Sequence, residues 1–226
     1  MKLFGCKVTV QTGPSWYRFE DESGKPMGYA WYEITMPAED EIDIQWKLRL
    51  AFPEGTYEED RSMLVSGKEG LLSASYYMGG DLISEAKREG NKLTGRAIVK
   101  QGGDFQTVEV ELKGNAVCGM QFVLAAFMPL EVGAGFENEN YSEAAGFTYI
   151  APGSMKCAGW ESIPWQGGQI EVCRFDLDQN GTGNLLPIWV NRNREIVKVD
   201  WGGGNVMVLA EKSTEHLFEE CKNKSN

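Results

Sequence analysis

Between residues 42 and 52 the chain alternates. Ile42, Ile44, Trp46, Leu48, Leu50 and Phe52 are separated by Asp43, Gln45, Lys47, Arg49 and the small Ala51. A period of two is that of a strand with one buried face and one wet face. At ~3.4 Å per residue the stretch spans roughly 35 Å, longer than the usual strand, and a strand that long needs equally long neighbours. The fold class expected is all-β with one or two short helices: a large curved antiparallel sheet forming a half-open barrel.

The same pattern predicts strands at 6–12, where Gly13-Pro14 would stop the chain, and at 28–36. Residues 16–19 form a short aromatic stretch. Pro53-Glu54-Gly55 would end the long strand, and 57–61 reads as a charged loop. Strands at 63–65 and 71–78 flank Gly67-Lys68-Glu69-Gly70. Residues 82–88 fit either a short helix or one arm of a hairpin that returns through Gly90-Asn91 into 93–99; the hairpin is preferred. Residues 108–112 alternate cleanly.

Residues 116–130 are apolar on both faces, which fits a strand covered on both sides or a short helix plugging the open side of the sheet. The glycine-rich, acidic stretch 133–145 reads as a mobile loop. Further strands are expected at 147–150, 157–163 and 169–177. The end is a meander of 186–190, 195–201 and 206–210, turning at residues 191–194 and at Gly202-Gly203-Gly204, with a helix at 213–222. No internal repeat or composition break divides the chain, so one domain over 1–226 is expected.

Composition narrows the function. The 226 residues carry 33 acidic against 22 basic side chains, a formal charge of −11. Nucleic acid and anionic membrane surfaces need a basic footprint, so neither is expected as a partner. No apolar run approaches the ~18–20 residues of a membrane span, so integral membrane association is not expected either. The five cysteines are scattered and include no C-x-x-C pair, which argues against structural zinc. The spacing leaves room for one disulfide between distant strands, but five thiols in a reducing compartment is the expectation. The opening Leu3-Phe4-Gly5-Cys6 faintly resembles a lipobox. With two residues before Leu3 there is no apolar signal region, so a cytoplasmic chain is expected, periplasmic or lipid-anchored only if a signal has been trimmed.

The chemistry-bearing motifs are few. Asp176-Leu177-Asp178-Gln179-Asn180-Gly181 opens like a calcium loop, but the position that should hold a bidentate glutamate is Pro187, and a hairpin turn uses the same residues. The single histidine, His216, lies near the chain end, which removes the base from ordinary Ser-His-Asp or Cys-His triads and leaves no His-rich metal site. Ser84-Glu85-Ala86-Lys87 matches S-x-x-K without its companion motifs. No metal and no cofactor are therefore expected.

What remains is seven tryptophans and eight tyrosines. Sheet propensity alone enriches such residues, yet aromatics also line ligand pockets, and a wide concave sheet leaves a space to fill. Trp31, Trp46, Tyr76, Trp160, Trp189 and Trp201 are the candidate lining. Glu33, Arg174 and Asp176, charged residues set in strands beside aromatics, are the candidate catalytic groups.

Three stretches carry a family resemblance: Gly28-Tyr29-Ala30-Trp31-Tyr32, the turn Gly90-Asn91-Lys92-Leu93, and the ending from Leu186-Pro187-Ile188-Trp189-Val190 through Arg194-Glu195-Ile196-Val197-Lys198-Val199 to residues 206–211. In these the chain resembles bacterial domains of unknown function related to the lipoprotein carriers LolA and LolB. The resemblance implies a half-open antiparallel barrel around a hydrophobic cavity. Catalysis is also known on such a half-barrel, without a cofactor, so the resemblance permits either role.

The expected function is binding of a lipophilic or aromatic small molecule in an aromatic-lined cavity. Its rivals are a cofactor-independent lyase, isomerase or cyclase working in that cavity through carboxylates, tyrosines and arginine, and a protein-interaction module. The module would have a filled barrel and contact its partner through edge strands or acidic loops at 54–60 and 137–143. An enzyme differs from a carrier in needing several polar groups that converge inside.

Overall fold

The computed structural model describes residues 1–98 and 102–225. A small hairpin of β1 (Lys2–Leu3) and β2 (Cys6–Lys7) opens the chain. The first half continues with β3 (Gly13–Glu20), β4 (Pro26–Ala38), β5 (Glu41–Phe52), β6 (Gly55–Ser66), β7 (Gly70–Met78), β8 (Asp81–Glu89), β9 (Lys92–Ile98) and β10 (Phe105–Glu111). The second half comprises β11 (Ala116–Cys118), β12 (Gly135–Tyr141), β13 (Ile150–Trp165), β14 (Gly168–Asp178), β15 (Leu185–Val190), β16 (Ile196–Asp200) and β17 (Val206–Ala210), then α1 (His216–Ser225). No helix among the described residues is long and apolar enough to cross a membrane.

β3 to β17 make one 15-stranded sheet in the order β10-β9-β8-β7-β6-β5-β4-β3-β17-β16-β15-β14-β13-β12-β11. Neighbours are hairpin-connected and antiparallel, apart from the β3–β17 seam and the parallel pair β11–β12. The sheet is wound but not closed. Its far end curls round until the backbone of Ala116, in β11, lies against Gly70 at the start of β7.

The alternating stretch is β5, and the neighbours its length demands are β4 and β6, paired with it along almost all of it. Its lower half, Ile42 and Ile44, sits in a dry core with Met63, Val65 and Leu71. The ambiguous 82–88 segment is the middle of β8, an arm of the expected hairpin; Val99, the last residue of the returning arm as read from sequence, lies outside the described residues. For 116–130 the plug reading is the closer one. After the short β11 the chain turns inward as a fully buried 3-10 helix, Gln121–Ala126.

That plug is held at its C-terminal end by residues from two distant parts of the chain. Arg194 Nη1 donates to the carbonyl of Met128 at 2.8 Å, and the Thr9 amide to Phe127 O at 3.0 Å, supplying partners to carbonyls the short helix leaves unpaired. Phe122 sits edge-on between Trp46 and Trp201, with ring centroids 5.3 and 5.1 Å away.

Four expectations need correcting. Only Cys6–Lys7 of the stretch 6–12 is strand, and Gly13-Pro14 begins β3 rather than stopping a strand. On the β17 side pairing starts at Trp16, so Pro14 lies beyond the ladder that would need its missing N–H. The charged loop at 57–61 is the middle of β6. The mobile loop at 133–145 is largely β12, with Phe136, Asn138 and Asn140 turned inward; Asn138 Nδ2 donates to Gln121 Oε1 of the plug at 2.9 Å. Residues 147–149 are not strand, because Gly146 and Phe147 form a turn with left-handed backbone (φ 61° at both), and β13 begins at Ile150.

The turn readings fit the structure. Asp178 accepts the amides of Asn180, Thr182 and Gly183. Although its slight burial acts against the charge, these hydrogen bonds hold its carboxyl below the ordinary range. Gly202, Gly203 and Gly204 all have positive φ in the turn between β16 and β17.

Candidate functional site

Above the dry core β5 and β6 continue side by side, and their register decides what faces inward. Trp46 is opposite Arg61, Leu48 opposite Glu59, and Leu50 opposite Tyr57. Partners across a ladder share a face, so an apolar stripe on β5 lies beside a polar stripe on β6. The row through Arg61 continues to Tyr76 on β7 and Ser84 on β8. On the outer face Glu58 and Asp60 pair with Arg49, with a closest approach of 2.6 Å.

The two stripes wall a cavity of about 550 Å³. Phe19, Met27, Leu48, Leu50 and Phe52 form its apolar side, and Phe122 with Trp201 its floor. Tyr57, Glu59, Arg61 and Glu143 form the polar side. Glu143 comes from the 3-10 turn Glu143–Ala145 that follows β12. Ser84 Oγ donates to its backbone carbonyl at 2.7 Å and fixes that turn against β8.

The polar side is one hydrogen-bonded network. Glu59 Oε1 accepts the Trp46 indole N–H at 2.8 Å, and Oε2 accepts Tyr57 OH at 2.7 Å and Arg61 Nη2 at 2.9 Å. Glu143 Oε1 accepts Arg61 Nη1 at 2.9 Å, and Oε2 accepts the Gly119 amide at 3.1 Å. The Arg61 guanidinium also lies 4.6 Å from the Tyr76 ring centre. Glu59 and Glu143 are only 5% and 1% exposed, so this pairing keeps two charges tolerable away from water.

Protonation follows from the same contacts. Burial opposes the charge on Arg61, but Glu143 and Glu59 outweigh it and raise its pKa above the usual arginine range. Burial first, then the Glu59 charge, pushes the Tyr57 hydroxyl well above 10.0. Tyr57 is therefore a neutral hydrogen-bond donor at ordinary pH. Every carboxylate oxygen of the network already accepts a bond from the protein, which fixes the polar side in one arrangement.

Of the aromatic candidates, Trp46 and Trp201 line the cavity, and Tyr76 stands behind it with its hydroxyl 3.5 Å from that of Tyr57. Trp31 lies on the outer face against Trp16 under Lys47. Trp189 is also outside, donating its N–H to Glu161 at 2.5 Å. Trp160 is exposed and stacked by Arg192.

Among the charged candidates, Glu33 pairs across to Gln45 on the outer face, and Arg174 bridges Asp176 and Glu161 there. None of these lines the cavity. His216 lies on α1, 3.5 Å from Glu220, and Ser84 and Lys87 are on opposite faces of β8.

Sequence reasoning missed Tyr57, Glu59, Arg61, Glu143 and Phe122. For the first three a signal existed: Tyr57, Glu59 and Arg61 alternate with Glu58 and Asp60 immediately after β5, where a long partner strand was required. Glu143 gave none, because its partner Arg61 is 82 residues earlier.

No family model matches the chain, and no curated protein matches it. Among solved structures it is similar to a β-barrel-like protein of a domain of unknown function, DUF1849, from Brucella abortus. The TM-score is 0.58 over 90% of this chain and 98% of that one, at 10% sequence identity. At that identity the likeness is one of fold alone, a β-barrel-like architecture.

Proposed function

We propose that the protein binds a lipophilic or aromatic small molecule in the cavity beside β5 and β6. The observation that carries this reading is a space of about 550 Å³ with an apolar wall and a fixed polar patch on one side. That volume falls within the range of small-molecule sites, and such sites combine apolar walls with a few placed polar groups. Apolar burial would supply affinity at ~25 cal/mol per Å² before ordering costs, and the polar patch would set orientation. The resemblance to the LolA and LolB half-barrels supports the same reading.

A titration with a fluorescent lipophilic probe tests it. Leu48→Trp, which fills the cavity, should weaken binding at least about tenfold, a loss of about 1.4 kcal/mol. Trp31→Ala, on the outer face, should leave binding unchanged. Equal binding by wild type and Leu48→Trp overturns the proposal.

The convergence of Glu59, Glu143, Arg61 and Tyr57 on one wall favours a second reading, a cofactor-independent lyase, isomerase or cyclase in the same cavity. Recovery of a bound compound unchanged after incubation supports a carrier. Its conversion by wild type but not by Glu59→Gln supports the enzyme. The interaction-module reading is disfavoured, because its two acidic loops lie mostly within strands β6 and β12 and the barrel is not filled.

A further inference from the structure

Outside the lining of the cavity, two cysteines meet on adjacent strands. Cys157 of β13 and Cys173 of β14 place their sulfurs 2.9 Å apart, closer than two unbonded sulfurs rest. The register does not put them opposite each other: Cys157 faces Phe175, and Cys173 faces Trp160. Pairing skips between Cys157 and Gly159, leaving Ala158 as an extra residue, and the two side chains reach toward each other across this irregularity. Only about 0.9 Å of further approach separates the sulfurs from the ~2.0 Å of a disulfide.

The other three cysteines are placed elsewhere. Cys6 donates to Gly135 O, Cys221 donates to Pro26 O, and Cys118 is buried next to Glu143 and Arg61. Among the described residues, Cys157 and Cys173 are the pair whose sulfurs touch.

We propose that Cys157 and Cys173 are a disulfide site, which joins β13 to β14 when the chain folds in the presence of a low-molecular-weight disulfide. One thiolate attacks the external disulfide, forming a mixed disulfide and releasing one thiol. The second cysteine thiolate attacks the protein sulfur and releases the other. Two protein thiols and one external disulfide thus give one protein disulfide and two small thiols, the two protons leaving with the products.

Timing follows from burial. Both residues are at most 1% exposed, and burial, with the neighbouring thiol, pushes Cys173 up to about 12. Cys173 is therefore a poor nucleophile in the folded chain, and with both sulfurs buried exchange belongs to the stage before β13 and β14 pack. Once closed, the bond is shielded from reductants by the same packing. A chain with this pair can become cross-linked if it folds in an oxidising compartment and remains a dithiol if it folds in a reducing one.

The test is thiol mapping after refolding the reduced wild-type chain from denaturant with oxidised and reduced glutathione. The protein is then acid-quenched, denatured and alkylated. The expected result is alkylation at three of the five cysteines and one linked peptide joining residues 157 and 173. The Cys157→Ser, Cys173→Ser double variant should retain three alkylatable thiols and give no linked peptide. Alkylation of all five wild-type thiols in protein that has regained its folded tryptophan fluorescence overturns the proposal. So does a linkage that joins any other pair. The linkage is read on the wild type, so the result does not depend on whether the variant folds.

Discussion

Arg61 stands between Glu59 and Glu143, its Nη2 2.9 Å from a carboxylate oxygen of the first and its Nη1 2.9 Å from one of the second. Glu59 belongs to the same strand, whereas Glu143 comes from the turn after β12, so this one side chain ties the two halves of the wound sheet across the cavity wall.

Arg61→Met should therefore leave two buried carboxylates facing each other. The expected cost is about 3–5 kcal/mol, read from urea unfolding. Combining it with Glu59→Gln and Glu143→Gln should return part of that loss, because the charges left unpaired are then gone. A triple variant no more stable than Arg61→Met would show that the guanidinium acts by packing alone.

Gly119 makes this arrangement possible. A Cβ there would sit 2.4 Å from Arg61 Nη1 and 3.0 Å from Glu143 Oε1. Gly119→Ala should displace the guanidinium, cost about 1–3 kcal/mol by overpacking and weaken probe binding at the same time. Thermal unfolding and the probe titration measure the two effects on one preparation.

Phe122 is the plug's contact with both cavity tryptophans. Truncation by Phe122→Ala should cost about 3–5 kcal/mol and change the tryptophan emission, since Trp46 and Trp201 both lose a ring neighbour. An unchanged emission spectrum would place those two rings elsewhere.

Stability should fall on the alkaline side. Burial is the first cause that raises Tyr17, Tyr32 and Tyr57 above 10.0, and Tyr17 and Tyr32 share a hydroxyl–hydroxyl hydrogen bond of 2.9 Å. Their folded values are raised, so the unfolded chain releases these protons first. Their stabilisation is complete below an unfolded value of about 10 and is lost as pH rises from there toward the folded values. Melting temperature measured against pH should drop above pH of about 10, and Tyr57→Phe should make the drop shallower.

The fold was legible where the two faces of a strand differ in polarity. β5 announces itself because every inward residue is apolar and nearly every outward one polar. The closing meander was legible differently, as short apolar runs bounded by polar and glycine-rich turns, since Trp189 and Val208 on its outer face are apolar too. β6 was hidden because its cavity-facing residues Glu59 and Arg61 are as charged as its outward ones, Glu58 and Asp60. β12 was hidden by inward asparagines that find partners on the plug and on the loop at Gln179. The site was therefore obscured where the polar lining replaced the hydrophobic signal used to find strands. Aromatic residues offered a poor guide, since Trp31 and Trp189 cover the outside of the sheet as effectively as Trp46 and Trp201 line the inside.

β5 belongs to two environments at once: Ile42 and Ile44 are anchored in the core, and Leu48, Leu50 and Phe52 border the cavity. A molecule entering that space would complete the packing of a beam whose other end already holds the protein together. Occupancy and heat resistance are then linked by mass action: a compound at a hundred times its dissociation constant raises stability by about 2.7 kcal/mol. The protein is in this sense its own thermometer for the right ligand, and a melting screen over lipophilic compounds needs neither a label nor a presumed reaction.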